Sequence, residues 1–348
     1  MPFFHPMEEI VTRQPGRLSR STLPLTVGAA AFAMLAVPAM ALAQAAWKPD
    51  RPIEFISGSA AGNSVDIMLR TIAKSVQEKR FVELPVNVIN KPGGGNTVAW
   101  GYLNQRAGDG HYLMVANFNL SAGHLTGTST YSYRDFTAVC ILFDEYVAFV
   151  VKADSPIKNG RDLIERLKKD PGSLSLSFSS VAGGANHIAA GLVLKTAGVD
   201  VKKVRTVVFD SASKAVTAML GGHVDIVSAS ASVPVSHLKA GTVRVVGVTS
   251  PSRLGGVYAD VPTWKEQGAD ATFSNYRGLI GPKGMLPGQV TYWEGVFAAL
   301  DKEESWRADL DRNLWMGHFL NGRDTRKYWD DLSVQVRAVL DDIGLLKQ

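Results

Sequence analysis

Two glycine-rich loops hold the residues of this chain best suited to ligand chemistry. One runs Ser59-Ala60-Ala61-Gly62-Asn63-Ser64-Val65-Asp66, the other Ser179-Ser180-Val181-Ala182-Gly183-Gly184-Ala185-Asn186-His187, and neither contains a Lys or an Arg. Each follows a strand-like segment and opens a helical one. The first turn of a helix has backbone N–H groups without intrahelical partners and the positive end of the helix dipole, so such a loop can hold a carboxylate or phosphate without a cation. In the first loop Gly62 permits close backbone approach, Asn63 or Ser64 can cap, and Asp66 falls in the first turn, where a negative side chain complements the dipole. In the second, Gly183 and Gly184 allow close approach before Ala185, Ser179 and Ser180 offer hydroxyls, Asn186 can cap, and His187 falls in the first turn. From the first loop alone an ordinary helix cap is the plainer reading. For His187 a structural hydrogen bond tying loop to helix is preferred to catalysis, because no nucleophile–base pairing is evident.

Two further strand-to-helix junctions belong to the same set. Asn90-Lys91-Pro92-Gly93-Gly94-Gly95-Asn96 lacks the Gly-Lys-Ser/Thr end of a phosphate-binding loop, and Val98 stands where a dinucleotide motif needs its last Gly. At Phe209-Asp210-Ser211, Asp210 either accepts a ligand donor or caps the next helix. Catalytic motifs are missing: the sequence has no Gly-x-Ser-x-Gly elbow and no His-Glu-x-x-His pair. The single cysteine, Cys140, excludes an internal disulfide and a Cys-based metal site, and its apolar surroundings mark it as a small buried hydrophobe. No catalytic residue, metal or cofactor is expected.

The elements that position these loops alternate. Strands are expected over 52–57, 85–90, 112–116, 139–152, 173–178, 204–209, 224–227, 243–249 and 277–280. Helices are expected over 64–79, 96–105, 186–196, 211–220, 234–239, 287–300, 305–315 and 325–343. Alternation of this kind argues for an α/β fold with largely parallel sheets. Breaks near Pro156 and Pro262 divide it into a discontinuous lobe of 44–155 plus 262–348 and an inserted lobe of 156–261, joined by a hinge that creates a cleft. Ligands of such sheets sit at the carboxyl ends of strands.

The 348 residues, 46% hydrophobic and 20% charged, suffice for two cores, and a net charge of +5 without a basic stripe argues against a nucleic-acid partner. Residues 1–43 read as a secretory signal peptide. Arg13, Arg17 and Arg20 precede an uncharged stretch from Ser21 to Trp47, and Ala41-Leu42-Ala43 places cleavage before Gln44. The alternative is an uncleaved membrane anchor, which Pro24 and Pro38 weaken.

A set of motifs then spans most of the chain. It includes Lys48-Pro49-Asp50-Arg51-Pro52-Ile53, Ala60-Ala61-Gly62 with Asp66, and Asn90-Lys91-Pro92-Gly93-Gly94-Gly95. Further on come Asp109-Gly110-His111-Tyr112-Leu113, His187, Gly221-Gly222-His223-Val224-Asp225, Ala240-Gly241-Thr242-Val243-Arg244, and Asp260-Val261-Pro262-Thr263 with Glu266 and Gly268. In order and spacing the set resembles the periplasmic solute-binding receptors of tripartite tricarboxylate transporters, the Bug proteins.

The resemblance implies a two-lobed, type II-like periplasmic binding protein fold with a hinged cleft. It implies a monomeric receptor that grips a small organic acid between two loops, carried over to Ala60–Asp66 and Ser179–His187, and delivers it to membrane permease subunits. A ligand sensor for a two-component system, or a periplasmic enzyme using the same cleft, are the rival expectations. The chain departs from the family at Asn63 and Val181, where Gly is usual, at Gly184, where Ser is common, and at Phe209-Asp210-Ser211, where Tyr-x-Gly is common. Asp210 would repel a second ligand carboxylate, which favours a monocarboxylate, hydroxy acid or amino acid over a tricarboxylate.

Overall fold

The computed structural model describes residues 47–62, 64–179, 181–342 and 344–347. The expected signal segment and the expected roles of Asn63 and Ser180 lie outside the described residues.

Helix periodicity builds the first layer. In α1 (Ser64–Glu78), Val65, Met68, Leu69, Ile72, Ala73 and Val76 are buried, the spacing of one apolar helix face. They share a core with Ile53 and Phe55 of β1 (Ile53–Ser57). Parallel neighbours β2 (Val86–Asn90) and β3 (Tyr112–Ala116) flank β1. Helix α2 (Thr97–Asn104) follows β2, and α3 (Phe118–Thr126) follows β3.

The sheet is organised by β4 (Thr137–Lys152), in which every residue from Ala138 to Val151 is buried. Such a run has helices on both faces of the sheet and reads as continuous apolar sequence. Its interruption by Asp144 and Glu145, both buried, returns below. After β4 come α4 (Gly160–Lys169), β5 (Ser175–Ser179), α5 (Ala185–Thr196), β6 (Arg205–Phe209), α6 (Ala212–Leu220), β7 (Ile226–Ser230), α7 (Val235–Lys239) and β8 (Val243–Val248). The chain then returns through β9 (Ser274–Gly281), α8 (Pro287–Asp301), α9 (Glu304–Asn313), β10 (Trp315–Asn321) and α10 (Gly322–Asp342). The main strand order is β2-β1-β3-β9-β4-β7-β5-β6, with β10 and β8 also on β4.

The register on β4 divides the sheet. Residues 137–146 pair antiparallel with β9, ending at Tyr146 opposite Ser274, and 140–145 pair with β10. From Val147 onward the partners are β7 and, from Ala148, β8. The partner switch falls between Tyr146 and Val147. The two halves meet in an α/β, two-lobed periplasmic binding protein fold. One apolar cluster runs across both, joining Phe118 and Leu125 of α3 and Leu340 of α10 to Leu163 of α4 and Ile188 of α5. No described helix is long and apolar enough to cross a membrane.

Several expectations need correction. Among the described strands, parallel ladders join β1 with β2 and β3, and β5 with β6 and β7. Every pairing made by β4 or β9 is antiparallel, because β4 crosses between the halves and β9 brings the chain back alongside its first part, neither being a member of a strand–helix–strand repeat. The expected helix over 305–315 stops at Asn313; Leu314 turns through φ 58° and Trp315 starts β10, stacked on Phe143 at 4.4 Å. Two helices, α3 and α4, arise where none was expected. Each has an Asn cap that bonds a first-turn N–H, Asn117 to Asn119 and Asn159 to Asp162.

Candidate functional site

Gly62 and Gly183 have nearly the same backbone, φ 78° and 77°, a left-handed conformation that favours glycine. Each donates its N–H to the side chain four residues on. Gly62 bonds Asp66 Oδ2 at 2.8 Å, and Gly183 bonds His187 Nδ1 at 3.0 Å. In both loops a first-turn side chain reaches back and fastens the turn before the helix. The two glycine amides are therefore committed within the loops, and any ligand must use the neighbouring N–H groups.

The two fasteners differ in charge. Asp66 is 2% exposed and also accepts from Arg70 Nε at 2.9 Å and Asn90 Nδ2 at 2.9 Å; Asn90 in turn bonds Ser59 O. Burial raises the Asp66 pKa, but hydrogen bonds from Arg70, Gly62 and Asn90 outweigh it and hold the carboxyl below its ordinary value. His187 is stacked on Phe178 with ring centroids 4.3 Å apart, and burial lowers its pKa to about 4. The ring is neutral at pH 7 and accepts at Nδ1, so its proton sits on Nε2. The second loop thus adds no carboxylate at its helix N-terminus, where the first loop has Asp66 compensated by Arg70. His187 takes the structural role expected of it.

The remaining site residues are placed as follows. Ala60, Ala61 and Ser64 lie in the first turn-and-helix junction. Gly184, not Asn186, is the N-cap of α5, in extended conformation and without a side-chain cap; Ala185 is the first helical residue. Asn186 lies inside the first turn, where its Nδ2 donates to Ser179 Oγ at 3.4 Å and its carbonyl accepts from Ser228 Oγ at 2.9 Å. Phe209 ends β6, and the cap of α6 is Ser211, not Asp210. Asp210 is exposed and paired with Lys214 at 2.6 Å.

The third glycine loop has a role the sequence did not reveal. Gly93, Gly94, Gly95 and Asn96 have φ of 130°, 54°, 60° and 89°, four successive positive values that three glycines make possible. Asn96 was expected to cap α2; it makes no side-chain cap bond, and its amide instead packs against Gly58 so closely that a Cβ there would lie 2.1 Å from Oδ1. On its other side, a Cβ on Gly95 would meet Val181 at 3.6 Å. This turn joins the root of the first loop to the second. Helix α3 completes the group from both its ends, since Asn119 near its start lies against Gly184 and Thr126 at its end lies against Gly183. A small cavity is lined by Gly95, Asn119, Gly123, Thr128, Ser129, Val181 and Gly183. The α3 contribution was legible in one signal, an Asn directly after an apolar strand.

Comparison with known proteins identifies the family and the fold. A family model described as the tripartite tricarboxylate transporter family receptor matches residues 68–345. The UPF0065 protein in the gbd 5′ region of Cupriavidus necator is 28% identical over 322 residues, which cover 92% of this chain and 96% of that protein. Among solved structures, the periplasmic binding protein BugD superposes with a TM-score of 0.74 at 21% identity, covering 86% of this chain and 100% of that one. Rpa4515 of R. palustris, solved with adipate, superposes with a TM-score of 0.75 at 19% identity, covering 85% and 98%. The family model spans the second loop, the crossing strands and the last helix alike, and the chain belongs to the tripartite tricarboxylate transporter receptor family.

Proposed function

We propose that this protein is a periplasmic solute-binding receptor, exported by a cleaved signal over 1–43, that captures a small organic carboxylate between its halves and delivers it to a tripartite-type transporter. The observation that carries the reading is the matched pair of loops. Each ends on a helix N-terminus and is fastened by the same Gly-to-fourth-residue bond, and neither supplies a cation. Backbone N–H groups hold a carboxylate by hydrogen bonds that also break readily, which suits capture followed by release. The ligand contacts are assigned to Ala60–Asp66 and Ser179–His187. The division into 44–155 plus 262–348 and 156–261 is kept as part of this reading, with the partner switch on β4 at Tyr146–Val147. Dicarboxylates are included in the proposed ligand class, and the relative solved with adipate supports that breadth.

Closure follows from differential affinity: a carboxylate touching both loops binds the closed arrangement better and shifts the population toward it. Thermal unfolding in the presence of adipate, succinate, lactate, glutamate and citrate tests the reading. A ligand that binds the native state alone raises the melting temperature. At least one acid is expected to raise it by several degrees at millimolar concentration, and the same acid is expected to be recovered unchanged. A flat response across the panel would overturn the proposal, and conversion of the acid would make the protein an enzyme.

A further inference from the structure

Asp144 and Glu145 are buried carboxylates placed at the end of the segment of β4 that pairs with β9 and β10. Their side chains leave opposite faces of the strand and meet different partners. Asp144 accepts from Ser274 of β9 and bonds His318 Nδ1 of β10 at 2.8 Å. Both partners belong to strands on the same side of the partner switch. Glu145 accepts from Arg277 of β9 through one oxygen, and through the other from the hydroxyl of Ser232 at 3.3 Å. Ser232 follows β7, beyond the switch, just after the bond from Ala231 N–H to Tyr146 O. The Glu145–Ser232 bond thus crosses the pivot.

A buried ion pair is weak evidence of stability, and an unmet buried acceptor is costly. Arg277 is 9% exposed and Glu145 3% at the side chain, and that pair stays together when the halves rotate, because β4 and β9 move as one. Glu145 Oε1 keeps its partner only while Ser232 stays in place. We propose that Ser232 is a positioning residue whose bond to Glu145 sets the balance between open and closed arrangements of the two halves. The proposal rests on the receptor reading above and concerns closure, not ligand contact.

Cys140 is the only cysteine and is buried, so Lys169→Cys on α4 and Lys302→Cys after α8, both exposed positions, can carry spin labels for distance measurement on the full chain. Ser232→Ala is expected to lengthen the inter-label distances without ligand and to weaken binding of adipate, or of another panel acid, about tenfold, by the same factor for each acid bound. Ser232→Thr should restore both. Lys195→Ala removes a surface contact to Asp342 and should move neither, since exposed pairs contribute little. The proposal is overturned if Ser232→Ala leaves distances and affinity at the parent values, or if Lys195→Ala shifts them equally. If no acid binds the parent protein, the receptor reading fails, while the ligand-free distances still decide the role of Ser232.

Discussion

At the residue scale the two fasteners answer acid differently. His187 has its pKa lowered by burial to about 4, against about 6.5 in an unfolded chain. The unfolded state therefore binds the extra proton first, so stability is full above about pH 6.5 and is lost as pH falls toward 4, by about 3 kcal/mol in all. Protonation also removes the acceptor for Gly183 N–H, so ligand affinity should fall over the same range. Urea unfolding from pH 7 to pH 4 in parent and His187→Gln checks this; the variant is expected to have the shallower pH dependence. Asp66 has the larger structural load. Asp66→Ala leaves Gly62 N–H without its acceptor and takes one of two from Asn90 Nδ2, and should cost about 1–3 kcal/mol. Arg70→Ala removes a half-exposed partner, 54% accessible, and should cost under about 1 kcal/mol. Equal losses in the two variants would contradict the assignment of Asp66 as the fastener.

At the element scale glycines separate close packing from turn conformation. In β9, a Cβ on Gly278 would lie 2.1 Å from Cys140 O and 2.9 Å from Ile141 Cα, backbone atoms of β4 that have no room to move. Gly278→Ala should lose on the order of 4 kcal/mol or more and reduce soluble yield sharply. Gly95→Ala meets only Val181 at ordinary contact distance but must hold φ 60°. That conformation costs about 1–2 kcal/mol for a residue with a Cβ, so the variant should fold with a modestly lowered melting temperature. Calorimetry of the two variants ranks them, and the reverse order would count against the packing of β9 on β4. Here the sequence was informative in parts. The run Gly93-Gly94-Gly95 marked a special turn, but its left-handed winding depends on Asn96 filling the space over Gly58, a contact 38 residues apart. Asn186 was an eligible cap by type, and lost that role to Gly184 because α5 begins one residue earlier.

At the scale of the whole molecule the crossing strands carry the titratable switch. His318 stands where the β10–β4 register shifts, and it faces Asp144 of β4 and the ring of Tyr328 of α10. The hydrogen bond to Asp144 raises its pKa, partly offset by burial. Its folded value thus lies above its unfolded value, and its stabilisation is present in full below the unfolded pKa and lost as pH rises through the folded one. His318→Asn should abolish that loss, read as a flatter melting-temperature profile between about pH 6 and pH 8. A profile identical to the parent would remove His318 from the account. With His187 acting in the opposite sense, the pH of greatest stability should lie near the unfolded histidine value of about 6.5, where the His187 contribution is full and that of His318 is not yet lost.

The sequence by itself determined the alternation of strands and helices, the four strand-to-helix junctions, and the family. These are written in local spacing: apolar periodicity, turn glycines and motif order are read within a few residues. The tertiary structure decided which loop amides are already bonded within the loops, how the loops are joined, and where β4 changes partners. Those depend on pairs far apart in the chain, such as Asp66 with Asn90, Gly95 with Val181, and Glu145 with Ser232. Burial decided the charge states as well. Asp210, read from its position after a strand as a ligand residue or a cap, lies exposed beside Lys214 and leaves the cap to Ser211. Asp144 and Glu145 went unremarked within the apolar run 139–152, and only the pairing of β4 shows that they bridge strands at the crossing.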